Sequence, residues 1–134
     1  IKCHQYSTTC SPTFIQKGLV DSLEDPQTEK EVQDMLDAFA KRRKAMVSGL
    51  EKINGLKVIQ PKGAFYVMVD VSATGLSGMD FAMKLLEEYN VATVPAIGLG
   101  DACGDYIRIS YAASDENIVK GLENMAACVK SLGL

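Results

Sequence analysis

Long apolar runs are missing from the sequence. No stretch approaches the ~20 residues that a membrane span requires, so no membrane role is expected. No secretory signal pattern opens the chain either. There is no C-x-x-C pair: Cys3, Cys10, Cys103 and Cys128 stand far apart, and His4 is the one histidine. A structural zinc site needs ligands at close paired spacings, so no metal is expected. Free, mostly buried thiols in a cytoplasmic protein account better for the cysteines. An excess of basic charge is also lacking. Lys and Arg total 14 against 17 Asp and Glu, a net charge of -3. That balance argues against nucleic acid or an anionic membrane as the main partner. The one basic run, Lys41 to Lys44, falls inside a helical pattern and reads as a solvated helix face.

Phosphate-binding signatures are missing as well. Gly98, Gly100 and Gly104 crowd the segment from Pro95 to Gly104, but the G-x-x-x-x-G-K-[ST] spacing is absent. Gly98-Leu99-Gly100 has no third glycine at the distance of a dinucleotide fingerprint and opens no helix. A loop with unusual dihedrals is the simpler reading. His4 has no carboxylate or nucleophile beside it. Ser7-Thr8-Thr9 is either an anion-binding hydroxyl cluster or a polar approach to a helix. Residue pattern alone places neither a catalytic nucleophile nor a general base.

A chain of 134 residues suits one domain and can bury a core without staples. Ser11-Pro12 opens a first helical pattern with Ile15, Leu19 and Leu23 on one face. Thr28 and Glu31 form a capping box for a second, long helix. Its apolar stripe runs through Val32, Leu36, Phe39, Met46, Leu50 and Ile53, with Arg43 interposed and Asn54-Gly55 as the stop. Strands are expected at Lys57–Ile59, Ala64–Val71, Val91–Val94 and Tyr106–Tyr111. Ser77 and Ser114 cap two further helices, and Gly133 ends the last. The order predicts an α+β, two-layer sandwich: a small mixed or antiparallel sheet of about three or four strands, covered on one face by helices.

Arg108 is the most informative residue. It stands between Ile107 and Ile109, so its side chain faces opposite to both and shares a face with Ser110. Burying a guanidinium requires a partner, and its planar fork fits a carboxylate through two parallel hydrogen bonds. The commoner alternative is a solvent-facing arginine or one paired with a local Asp. Phe65, at a strand entry, either lines a pocket or fills the core.

Five motifs in order resemble class I aminotransferases of the aspartate aminotransferase group. They are Tyr6-Ser7-Thr8-Thr9 with Ser11-Pro12, Phe39-Ala40-Lys41-Arg42-Arg43, Pro61 to Tyr66, Pro95 to Gly100, and Tyr106 to Ala112. The resemblance implies the C-terminal small domain of a fold-type I, pyridoxal 5'-phosphate-dependent enzyme. Residues 1–27 would come from the large domain, interface and connecting helix, and 28–134 would be the small domain, led by a long interdomain helix. Arg108 would bind the α-carboxylate of an amino-acid or 2-oxo-acid substrate, and Phe65 would wall the bound substrate. Ser7, Thr8 and Thr9 would lie near a partner subunit's active site in a homodimer. Ala96 and Leu99 stand where the family often has Gly and Phe. No N-x-N-P-T-G, D-x-x-Y or S-x-x-K segment occurs, so the Schiff-base lysine is absent and no residue here is catalytic. The chain, beginning with Ile1, reads as an inactive fragment lacking its large domain. Two other readings are an aminotransferase-like effector domain of a transcriptional regulator and a stand-alone small-ligand module built on Arg108.

Overall fold

The computed structural model describes residues 2–8 and 11–134, apart from the side chains of residues 4, 5 and 8. Two compact units divide the chain between Asp37 and Ala38. The first holds helices α1 (Lys2–Thr8) and α2 (Thr13–Glu24) and the start of α3 (Pro26–Leu50). The second holds the rest of α3, strands β1 (Lys57–Ile59) and β2 (Tyr66–Asp70), helix α4 (Gly78–Tyr89), strands β3 (Val94–Pro95) and β4 (Tyr106–Ser110), and helix α5 (Asp115–Ser131).

In the first unit the caps differ from expectation. Pro12, not Ser11, occupies the cap position of α2 and makes no side-chain hydrogen bond. Helix α3 starts two residues before Thr28, at Pro26. The Asp25 carboxylate accepts from the Gln27 N–H at 2.9 Å, and proline at the first position needs no donor partner. Asp25-Pro26 is thus the junction where one helix ends and the next begins. Residues read as a polar approach, Ser7 and Thr8, fall within helix α1.

The second unit is a four-stranded, wholly antiparallel sheet in the order β1-β2-β4-β3, with helices on one face. Alternation decides which side chains face them. Val67, Val69, Ile107 and Ile109 are buried, and join Met46 and Leu50 of α3, Phe81 and Leu85 of α4, and Met125 and Val129 of α5. The apolar stripe read from the sequence is buried at Met46, Leu50 and Ile53, while Val32 and Leu36 are exposed. Helix α3 stops at Leu50, before Ile53, and Gly55 takes a φ of 81° in the turn that follows. Arg43, at its interposed position, donates to the Pro61 carbonyl at 3.3 Å. Lys41 and Arg42 both approach the Asp115 carboxylate at the start of α5, so the basic run ties α3 to α5.

Strand β3 is shorter than predicted. Asn90 ends α4 in the left-handed conformation, and the Val91 N–H bonds back to Leu85 at 3.0 Å, so Val91 belongs to the helix terminus and residues 92 and 93 lead from it into the strand. The Ser77 and Ser114 caps form as predicted, accepting from the Asp80 and Asn117 N–H groups. The expectation of mostly buried thiols fails: Cys128 is buried, Cys103 half-buried and Cys3 exposed, while Cys10 lies outside the described residues.

Helix α4 abuts the backbone leading into β4. The Gly78 N–H donates to the Gly104 carbonyl at 2.8 Å, and a Cβ at Gly78 would stand 2.4 Å from the Tyr106 carbonyl oxygen. Gly78→Ala should therefore cost about 1–3 kcal/mol in urea unfolding. Gly121→Ala, inside α5 with open space around it, should instead gain up to about 1 kcal/mol. A second prediction concerns acid. The hydrogen bond from Lys41, then the charges of Lys41 and Arg42, hold the Asp115 carboxyl below its usual range. A depressed folded value gives stability above the unfolded value that is lost as pH falls through the folded one. From about pH 4 downward, Asp115→Asn should flatten the acid dependence of unfolding, and high salt should flatten it over the same range.

Candidate functional site

The face of the sheet away from the helices is open. Tyr66, Met68 and Asp70 of β2 and Tyr106, Arg108 and Ser110 of β4 lie on it, because each alternates with a buried neighbour. Arg108 pairs across the ladders with Met68 on one side and Val94 on the other. Two apolar neighbours leave its guanidinium half-buried with no carboxylate beside it. Among the described residues it forms no ion pair. Asp70 shares the face but is engaged elsewhere. Hydrogen bonds from Ser72, its hydroxyl first and then its N–H, and the charge of Lys57 hold Asp70 below the usual carboxylate range. Tyr66 supplies the one close partner, with its ring centroid 5.1 Å from the guanidinium carbon. A cation–π contact orients the guanidinium and leaves its positive charge unneutralised.

Arg108 and Phe65, both named from the sequence, line one concavity of about 160 Å³ with Tyr66, Thr93, Val94 and Ser110. Phe65 is half-exposed and meets Tyr66 edge to face at 5.7 Å. The segment entering it is unusual. Ala64 has a φ of 61°, a conformation in which the Cβ of an L-residue costs about 1–2 kcal/mol. The Tyr111 hydroxyl donates to the Ala64 carbonyl at 2.8 Å, and the Tyr111 N–H donates to the Phe65 carbonyl at 2.9 Å. Strand β2 starts at Tyr66 and not at Ala64 for this reason.

Sequence reasoning missed Thr93. Its hydroxyl oxygen is buried and, among the described residues, is the side-chain polar atom left with no hydrogen-bond partner. Such an orphan costs about 1–3 kcal/mol and is uncommon in a folded protein. The signal available was a threonine inside the apolar run Val91 to Val94. Ser7 belongs to the first unit and donates to the Cys3 carbonyl at 2.9 Å. The side chains of His4 and Thr8, and all of Thr9, lie outside the described residues. The Pro95–Gly104 segment is a loop of two short 3-10 turns joined at Gly100, whose φ of 156° is the unusual dihedral expected there; Ala96 is fully buried and Leu99 is exposed. A larger groove of about 570 Å³ follows α5, with Asn117, Lys120 and Asn124 among its lining residues over Met46, Ile118 and Met125. Neither Arg108 nor Phe65 lines it, while Ser110 lines both.

The aminotransferase class I and II family profile matches residues 4–124. The chain belongs to that family. This aminotransferase chain is 36% identical over 125 residues to the aspartate aminotransferase of Pyrococcus abyssi, covering 93% of itself and 32% of that protein. It is 43% identical over 122 residues to a probable aspartate aminotransferase of Methanocaldococcus jannaschii, covering 91% of itself and 31% of the other. The solved aromatic aminotransferase of Pyrococcus horikoshii superposes with a TM-score of 0.90 at 36% identity, over 97% of this chain and 35% of that one. The chain thus spans about a third of the length of the relatives it matches.

Because Arg108 supports no ion pair of the fold, Arg108→Ala should change the unfolding free energy by less than about 1 kcal/mol, the value of its contact with Tyr66. Thermal or urea unfolding checks this. A loss of several kcal/mol would mean that the arginine serves the fold.

Proposed function

We propose that this chain is the C-terminal small domain of a cytoplasmic, pyridoxal 5'-phosphate-dependent aminotransferase, in which Arg108 binds the α-carboxylate of an amino-acid or 2-oxo-acid substrate. One observation carries the reading: a half-buried guanidinium without an acid partner, held by an aromatic face at the wall of a concavity. A carboxylate is the ligand that would complete it, through two parallel charge-assisted hydrogen bonds. The Thermus thermophilus aspartate aminotransferase, 34% identical over 95% of this chain and 32% of its own, has been solved with maleate, itself a dicarboxylate.

The residues around Arg108 do not fit the cofactor. No lysine lines the concavity, and one guanidinium is no cradle for a phosphate. Pyridoxal phosphate, which stabilises a substrate carbanion when bound, would be held by the large domain, and no step here runs through it. The chain's own residues would bind and orient. Arg108 would fix the carboxylate, Phe65 would cover the adjoining part of the substrate, and closure of the domain over the substrate would exclude water. In this reading the fragment alone is inactive. Phe14, Ile15, Leu19 and Leu23 of α2 are exposed, as expected of a segment that packs on the missing large domain or on the second subunit of a homodimer. Ser7, Thr8 and Thr9 would approach the partner subunit's site.

Transaminase kinetics on the full-length enzyme test the reading. Arg108→Ala should lower kcat/KM for amino acids by about 2–4 kcal/mol of transition-state binding, and Arg108→Lys, which keeps the charge but loses the fork, by less. Equal kinetics for wild type and both variants would remove Arg108 from the site.

A further inference from the structure

Phe65 does not sit where the ladder would put it. Tyr111 stands opposite Phe65, one pair beyond Tyr66 and Ser110, and its N–H donates to the Phe65 carbonyl at 2.9 Å. Strict alternation would send Phe65 to the helix-covered face with Val67 and Val69, just as Tyr111 joins Ile107 and Ile109 there. Instead Phe65 is 51% exposed and lines the concavity that holds Arg108. The break in alternation coincides with Ala64 at a φ of 61°. A residue with a Cβ resists that conformation, so some contact must hold it there. The contact on hand is the Tyr111 hydroxyl, which donates to the Ala64 carbonyl at 2.8 Å.

The tyrosine is well placed to hold. It is 1% exposed, and its ring meets Phe39 of α3 edge-on at 6.5 Å between centroids, so its hydroxyl is fixed by the core. From that hydroxyl a short series of contacts leads to the guanidinium. Ala64 is turned, Phe65 follows and meets Tyr66 at 5.7 Å, and Tyr66 lies under Arg108 at 5.1 Å. We propose that Tyr111 is a positioning residue for substrate binding: its hydroxyl holds Ala64 in the left-handed conformation and so sets Phe65 over the Arg108 concavity. The proposal rests on Arg108 being the carboxylate ligand. It adds that the apolar wall of the same site is set from inside the core.

The test is a double-mutant cycle in the intact aminotransferase. Tyr111→Phe keeps the ring against Phe39 and removes only the hydroxyl. It should raise KM for the amino-acid substrate about fivefold, the worth of one hydrogen bond, with kcat nearly unchanged. Glycine adopts positive φ without steric cost. In an Ala64→Gly background, therefore, Tyr111→Phe should raise KM by a clearly smaller factor. A role in packing alone would give the same factor in both backgrounds, and that result overturns the proposal. A crystal structure of the Tyr111→Phe enzyme is the second readout. Ala64 should leave the left-handed region and Phe65 should turn from the concavity; an unmoved Ala64 also overturns it. The arms separate the two readings. If Arg108→Ala leaves kcat/KM unchanged, the carboxylate assignment falls, while the conformation of Ala64 in Tyr111→Phe still decides what the hydroxyl does. If Arg108→Ala is damaging and Tyr111→Phe leaves KM unchanged, the positioning role alone falls.

Discussion

The pairing register between β2 and β4 is the constraint on which the rest depends. Val67 faces Ile109 and Val69 faces Ile107 on the covered side, and this fixes Met68 opposite Arg108 on the open side. A slip of one residue would exchange the two faces. It would drive the guanidinium among Phe81, Leu85 and Met125, where an unpaired charge costs several kcal/mol after relaxation. It would also expose Ile107 and Ile109. The apolar core and the orientation of Arg108 are therefore one choice and not two. Anything that stabilises the core, including the seating of α4 against Tyr106, indirectly keeps the arginine facing outward.

That choice was legible in the sequence because it depends on period-two alternation, a short-range signal. The same holds for the caps at Ser77 and Ser114, where one side chain reaches a backbone N–H three residues on. Legibility failed where two local signals competed or where the partner was remote. Asp25 and Thr28 both resemble caps, and the fixed φ of Pro26 decided for Asp25. The α3 stripe is periodic through Val32 and Leu36, yet periodicity cannot say which part of a stripe has something to bury against. Strand β3 lost Val91 to the helix terminus at Asn90, an outcome that needs the dihedral of one residue. The orphan hydroxyl of Thr93 and the hydrogen bond of Tyr111, which reaches Ala64 across 47 positions, leave no local trace at all.

The distribution of charge partners follows a similar division. Lys41 and Arg42 meet Asp115, and Lys84 meets Glu88, all with at least one exposed member, so each pair adds little to stability. Asp70, the acid on the face of Arg108, is satisfied by Ser72 and Lys57. Each of these acids has a nearer claim on it than the arginine has. The guanidinium has no acid beside it in the ladder, because its neighbours there, Met68 and Val94, are apolar.

Tyr66 beneath that charge resolves an apparent conflict between order and availability. A guanidinium held by an acid would be well ordered but already satisfied, and a ligand would have to displace the acid. A guanidinium free in water would be available but disordered, and binding would cost the entropy of fixing it, up to about 2 kcal/mol for an arginine side chain. Contact with an aromatic face takes a middle course. It is worth about 0.5–1 kcal/mol at a partly exposed site, enough to favour one rotamer. It uses the flat face of the guanidinium, while the N–H donors lie at the edge, in plane. A carboxylate approaching along that edge would form its two hydrogen bonds without breaking the contact below. The aromatic ring and a bound carboxylate would then reinforce each other, and the position of Tyr66, and of the Phe65 ring packed on its edge, would matter to the proposed site as much as the charge itself.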